Sequence, residues 1–199
     1  MEHTFKRFFD LALASLGIII SFPLCLICAA LIWAQDRGPV FYIQERIGKN
    51  NIAFPLIKFR TMHPETKKIP IVSGWLRMSA MDELPQLINI LKGDMSFVGP
   101  RPLVKEEMDS AQSSPFLQER LRAQPGLTGV AQLLLSKKAA VKDKILYDVW
   151  YLRHFSLALD IKLIMMSYAI TILGRWETDI EKLPMLYSLN EEVRRDIPS

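Results

Sequence analysis

Two adjacent acids, Asp82 and Glu83, stand directly before Leu84 and Pro85. Proline is accepted in a helix only in its first turn, so the pair falls at the start of a helix predicted over Asp82–Lys92. The positive end of a helix dipole favours ionised carboxylates there. An ionised carboxylate is a usable nucleophile, and acids also decorate helix starts with no chemistry attached. Ser79, three residues before Asp82, is placed to add a capping interaction. Lys58 and Arg60 are two apart in a β-rich stretch, so in a strand they share one face roughly 7 Å apart, a spacing suited to two linked phosphates. A solvated strand face explains the same spacing. Arg77 precedes Asp82 by five residues and is either a phosphate ligand or a structural partner of the acids. Arg101 lies between Pro100 and Pro102, whose rings restrict the backbone and preorganise a guanidinium for bidentate phosphate binding. A rigid connector with an incidental charge is the alternative.

These residues need elements to hold them. Pro39–Gln44 and Ile52–Met62 are rich in Val, Ile, Phe and Tyr around the turn-like Gly48, Lys49, Asn50, Asn51, which predicts a β-hairpin. Residues 63–74 read as a loop feeding a short element at Trp75 and Leu76. Leu84, Leu87, Ile88 and Leu91 form a helical stripe that Gly93 ends. Met95–Val98 is a short strand, and Lys105–Arg122 a polar helix. Pro125, Gly126, Thr128 and Gly129 make a tight loop before Val130, Ala131 and Gln132. An aromatic helix surrounds Trp150 and Tyr151. In Phe155–Gly174 the apolar run Leu163–Leu173 is interrupted upstream by Asp160 and Lys162, too short to cross a bilayer. It is expected to lie on the membrane surface or to pack as a core helix. The end of the chain reads as a charged tail containing Pro184 and Pro198.

At 199 residues one catalytic domain is expected, and 50% hydrophobic residues with a mean hydropathy of +0.14 point to lipid contact. Leu11–Ala34 carries no charge, and as a helix spans roughly 36 Å, enough to cross a bilayer core. Pro23 near its middle predicts a kink or break. Basic residues on both sides, Lys6 and Arg7 before and Arg37 after, argue for a re-entrant hairpin with both ends cytoplasmic; a spanning helix with a tolerated proline is the other reading. Cys25 and Cys28 lie inside this apolar run with no second Cys or His group, so they read as filler rather than as half of a metal site or a disulfide framework. The net charge of +4 suits anionic lipid, nucleotide phosphates or nucleic acid.

Several segments coincide in order and spacing: Lys6-Arg7-Phe8-Phe9-Asp10, Gly38-Pro39-Val40-Phe41, Lys58-Phe59-Arg60-Thr61-Met62, Asp82-Glu83-Leu84-Pro85-Gln86-Leu87-Ile88-Asn89, Lys92-Gly93-Asp94 through Pro102, and Pro125-Gly126-Leu127-Thr128-Gly129. Over residues 4 to 173 the chain resembles the bacterial sugar transferase family of monotopic phosphoglycosyl transferases. The resemblance implies an α/β, mostly helical catalytic domain over 38–175. A membrane-embedded re-entrant helix over 1–37, broken near Ser21 and Pro23, would precede it, and a charged tail over 176–199 would follow. It implies transfer of a sugar 1-phosphate from a uridine diphosphate sugar to undecaprenyl phosphate, with Mg2+ as cofactor, at the cytoplasmic face of the bacterial inner membrane. Asp82 would be the nucleophile, Glu83 would assist by metal binding or orientation, and Lys58, Arg60, Arg77, Arg101 and Gln132 would bind substrate phosphates.

The chain departs from the family pattern at several points. Phe22 precedes Pro23 where a serine is usual, with Ser21 displaced by one. Gln124 replaces a frequent Arg, and Val130 a frequent Trp. Leu134-Leu135-Ser136-Lys137 stands where an Asn-Gly-Arg-Asn run often follows, leaving Lys137 or Lys138 to stand in for its arginine. The loop from Met62 to Trp75 is also shorter. An impaired membrane-anchored scaffold is therefore the competing reading. A nucleic-acid binder is disfavoured by the apolar segment and the lack of any such motif.

Overall fold

The computed structural model describes residues 2–62, 70–136, 138–173 and 184–197. His63, Lys67, Lys68 and Lys137 lie outside them. The first element, α1 (Glu2–Asp36), is helical through Pro23 without interruption. The expected break is therefore not an unwound loop. Among the described residues it is the one helix long and apolar enough to cross a membrane.

The hairpin forms as expected. β1 (Phe41–Ile47) pairs antiparallel with β2 (Ala53–Phe59), Phe41 facing Phe59 and Ile47 facing Ala53. Asn50 and Asn51 take left-handed φ of 56° and 63°, a region asparagine tolerates better than most residues. After α2 (Ile71–Met78) a 3-10 turn, Met81–Glu83, leads through Pro85 into α3 (Gln86–Lys92). Ser79 does not cap this turn. Its hydroxyl donates to the Trp75 and Leu76 carbonyls and closes α2 instead. The buried row on α3 also differs from the expected stripe, because Leu87 and Ile90 are buried while Ile88 is exposed. The cause is that α3 is wedged between α1, whose Gly17 abuts Leu87, and β2.

β3 (Ser96–Val98) runs parallel to β4 (Gly126–Thr128), a strand in the segment expected to be only a tight loop. The two approach so closely that a Cβ on Gly99 would overlap the Gln124 carbonyl. Lys105–Arg122 is two helices, α4 (Lys105–Ala111) and α5 (Leu117–Arg120), separated around Pro115. The remaining helices are α6 (Val130–Leu134), α7 (Val141–Arg153), α8 (Leu157–Leu173) and α9 (Pro184–Asp196). α9 occupies the segment read as a charged tail and packs as core. Leu189 and Val193 are fully buried, the Tyr147 hydroxyl donates to Asn190, and the Trp150 indole donates to Asp196.

One core gathers Val130, Leu134, Trp150, Leu163 and Leu189 from α6 to α9. A second joins Ala14 of α1 to Phe54, Leu56, Leu87, Ile90 and Met95. The whole is a mixed, mostly helical domain with an apolar N-terminal helix docked along it. Asn89 is the bracket between α3 and the hairpin: its side chain accepts from the Ile57 N–H at 3.0 Å and donates to the Pro55 carbonyl at 2.8 Å, with no exposure to solvent. Asn89→Ala leaves both backbone groups unpaired and is expected to cost about 2–4 kcal/mol of stability, read from denaturant unfolding in detergent.

Candidate active site

Lys58 stands in the same β2 row as Phe54 and Leu56, the row that faces the interior, and β2 packs directly on the 3-10 turn carrying Asp82 and Glu83. A lysine at that position is carried under cover by the hydrophobic residues beside it. Burial pushes the Lys58 ammonium below the usual lysine range, opposed by the carboxylates of Glu83 and Asp82. Asp82 is 9% exposed, and its carboxyl is pushed up by burial and held down by Lys58 and Arg77. Each member thus answers the other's desolvation. Arg77, exposed in the last turn of α2, acts on Asp82 by its charge.

Arg101 is exposed while both flanking prolines are buried. Its charge, with that of Arg46, presses Lys58 downward, which puts Arg46, Lys58 and Arg101 around one site. Tyr42, opposite Lys58 in the hairpin, places its ring 5.6 Å beneath the ammonium. The charges of Glu83, Asp82, Arg46 and Arg101 thus all act on Lys58, and those of Lys58 and Arg77 on Asp82.

Two expected phosphate ligands are occupied otherwise. Arg60 lies just past β2, its terminal nitrogens donating to the Asp36 carboxylate at 2.6 and 2.5 Å and its Nε to the Pro39 carbonyl. It ties the hairpin to the end of α1. Gln132 turns its amide inward, donating to the Leu127 carbonyl at 3.1 Å. Ser21 accepts a long contact, 3.9 Å, from the Cys25 thiol one helical turn on.

Residues not singled out from sequence also shape the site. Arg46 is buried, donating to the Pro102 carbonyl and the Gln44 side chain, and its Nε has no protein partner. Strand alternation alone could have flagged it, since it shares a face with Tyr42 across from the Lys58 row. Arg120 and Asp148 form a buried ion pair at 2.8 Å. Packing takes up some of the departures from the family pattern. Val130 and Leu134 lie in the main core with Leu135 packed against it, and Gln124 donates to the Gly93 carbonyl. Lys138 is exposed.

No cluster of three or more His, Cys, Asp or Glu side chains occurs among the described residues. The Asp82–Glu83 pair nevertheless suits magnesium, which commonly takes one or two carboxylates and completes its shell with substrate phosphates and water.

Residues 1–174 match the family model described as bacterial sugar transferase. The exopolysaccharide production protein ExoY of Rhizobium meliloti (strain 1021) is 34% identical over 197 residues, covering 85% of this chain and 86% of that protein. The UDP-N-acetylgalactosamine-undecaprenyl-phosphate N-acetylgalactosaminephosphotransferase of Aeromonas hydrophila is 34% identical over 185 residues, 85% of this chain and 44% of that one. The undecaprenyl-phosphate glucose phosphotransferase of Komagataeibacter xylinus is 35% identical over 192 residues, 85% of this chain and 36% of that one. The chain spans less than half the length of these last two.

Because burial raises Asp82 and Arg77 lowers it, the carboxyl should stay protonated to a higher pH than an ordinary aspartate, and further still in Arg77→Gln. Carbodiimide labelling of the Asp82 peptide as a function of pH, read by mass spectrometry, checks both shifts. No further rise in Arg77→Gln would contradict the assigned charge coupling.

Proposed function

The chain belongs to the bacterial sugar transferase family and is a phosphotransferase enzyme, and from that premise we propose that it carries a sugar 1-phosphate from a uridine diphosphate sugar to undecaprenyl phosphate. The observation that carries this reading is the buried Asp82 on a 3-10 turn packed against the strand of Lys58, each acting on the other's charge, with Glu83 adjacent in the chain and the exposed Arg77 and Arg101 acting on the pair. That arrangement supplies a water-shielded nucleophile and fixed positive charge where a diphosphate would lie.

In the proposed cycle an Asp82 oxygen attacks the sugar-bearing phosphorus. The bond from that phosphorus to the bridging oxygen breaks, and uridine monophosphate leaves with the bridging oxygen and its electron pair. The lipid phosphate then attacks the same phosphorus through one of its oxygens, the bond to Asp82 breaks, and the carboxylate is regenerated. Lys58 and Arg101 neutralise phosphate oxygens during both displacements, and Arg77 helps keep Asp82 ionised. Asp82 and Glu83 are the residues that would hold Mg2+, which when bound supplies Lewis-acid neutralisation of phosphate charge. Arg60 is left out of this role because Asp36 and Pro39 use its donors.

Membrane placement follows from the same premise. Both ends of α1 are fastened to the catalytic domain: Lys6 to Asp160 at 2.5 Å and Arg7 to the Ile90 and Leu91 carbonyls at one end, Asp36 to Arg60 at the other. A helix crossing the bilayer from a domain on one face would leave one end about 30 Å away. This double fastening argues against a simple crossing and supports insertion from one face, the continuous helix bending at Pro23 with its exposed middle, Ile19, Ile20, Phe22 and Ile27 among it, towards lipid. α8 adds an exposed apolar row, Ile161, Met165, Tyr168 and Ile172, suited to the membrane surface.

Purified protein in detergent with magnesium, undecaprenyl phosphate and a panel of uridine diphosphate sugars should release uridine monophosphate from one of them. Asp82→Asn should lower that release by on the order of 10³-fold or more. A folded, lipid-binding chain inert towards every donor would favour the scaffold reading instead.

A further inference from the structure

Four successive carbonyls in the segment bearing Arg101 are each held by a different donor. The Gly126 N–H takes the Pro100 carbonyl at 2.9 Å, and Arg120 Nη2 takes that of Arg101 at 2.5 Å. Arg46 Nη1 takes that of Pro102 at 3.2 Å, and the Ile47 N–H that of Leu103 at 2.8 Å. Two of these four donors are buried arginines. Burying a guanidinium for one carbonyl adds a desolvation cost that an ion pair offsets at best partly.

The guanidinium of Arg120 has a second partner that fixes its direction. Its Nε donates to Asp148 Oδ2 at 2.8 Å while Nη2 reaches the Arg101 carbonyl, so one planar fork links α7 to the Arg101 backbone. Asp148 is itself buried, its carboxyl raised by burial and held down by Arg120. The outcome is an exposed Arg101 side chain on a backbone clamped from beneath.

We infer that Arg120, directed by Asp148, is a positioning residue that fixes the backbone of Arg101 so that the Arg101 guanidinium meets the donor diphosphate in one orientation. This rests on the proposed role of Arg101 in phosphate binding. A lysine at 120 cannot serve both partners with the same rigid fork, so Arg120→Lys keeps the charge and loses the direction. Asp148→Asn keeps the shape and loses the counter-charge. The exposed pair Glu119–Arg153 also bridges α5 and α7 without touching Arg101, which makes Arg153→Ala the matched control.

The test has two readouts on the full chain in detergent. Hydrogen exchange of peptides spanning 99–104 should quicken in Arg120→Lys and Asp148→Asn but not in Arg153→Ala. The KM for the uridine diphosphate sugar should rise roughly tenfold or more in Arg120→Lys, with a smaller change in kcat. In an Arg101→Ala background the same substitution should add nothing further, as expected for residues acting through one another. Quickened exchange with an unchanged KM would overturn the positioning role while leaving a structural clamp. Losses that multiply in the Arg101→Ala double variant would overturn it too, by showing that Arg120 acts elsewhere. If Arg101→Ala itself were silent while the native chain turned over, the phosphate role of Arg101 would fall and this inference with it. No turnover by the native chain would instead defeat the functional reading, and unquickened exchange would defeat the clamp independently of activity.

Discussion

A carboxylate that attacks phosphorus must be shielded from water and still be charged, and those demands conflict. Burial pushes the Asp82 carboxyl up and the Lys58 ammonium down. The charge of each opposes the other's shift, and Arg77 on Asp82 and Glu83 on Lys58 add to that opposition. The remaining architecture can be understood as what holds these few charges at short range. β2 delivers Lys58 from an apolar row, the 3-10 turn delivers Asp82, and Asn89 fastens α3 to the strand so that the two cannot drift apart.

The same scaffold accounts for the unusual embrace of α1. Lys6, Arg7 and Asp10 reach three different elements, the last accepting from the Phe97 N–H at 3.1 Å, and Arg7 closes the carbonyl end of α3, the end opposite the dyad. At the far end Arg60 secures Asp36. The apolar N-terminal helix is therefore a structural wall of the catalytic domain, and on the proposed membrane placement it would couple the position of the dyad to that of the bilayer.

Local chemistry was legible in the sequence wherever short-range rules decide structure. The Gly48–Asn51 turn, the proline that starts α3 and the glycine that ends it required no distant information. The Asp82–Glu83 pair stands out because a proline marks the helix start beside it, whereas Lys58, Arg77 and Arg101 are dispersed along the chain and stand out only by strand spacing, flanking prolines and family motif. What could not be read depends on partners far apart in sequence. Arg60 looked like a phosphate ligand until Asp36, on another element, took its guanidinium; Arg120 and Asp148 are unremarkable polar residues until α5 and α7 pack. The α3 stripe slipped from Ile88 to Ile90 because α1 and β2 press on it from two sides, which periodicity within the helix does not encode. Likewise the polar composition of α9 hid the narrow row of Leu186, Leu189 and Val193 that makes it core.

The central claim is that Asp82 becomes covalently linked to the transferred group. Native chain mixed with its uridine diphosphate sugar in the absence of lipid phosphate, quenched in acid and digested, should yield a peptide containing Asp82 heavier by one sugar phosphate, in near one-to-one amount with the uridine monophosphate released. Addition of undecaprenyl phosphate before quenching should remove that mass. Release of uridine monophosphate that strictly requires the lipid acceptor, with the Asp82 peptide never modified, would contradict the account and point to direct transfer between donor and lipid.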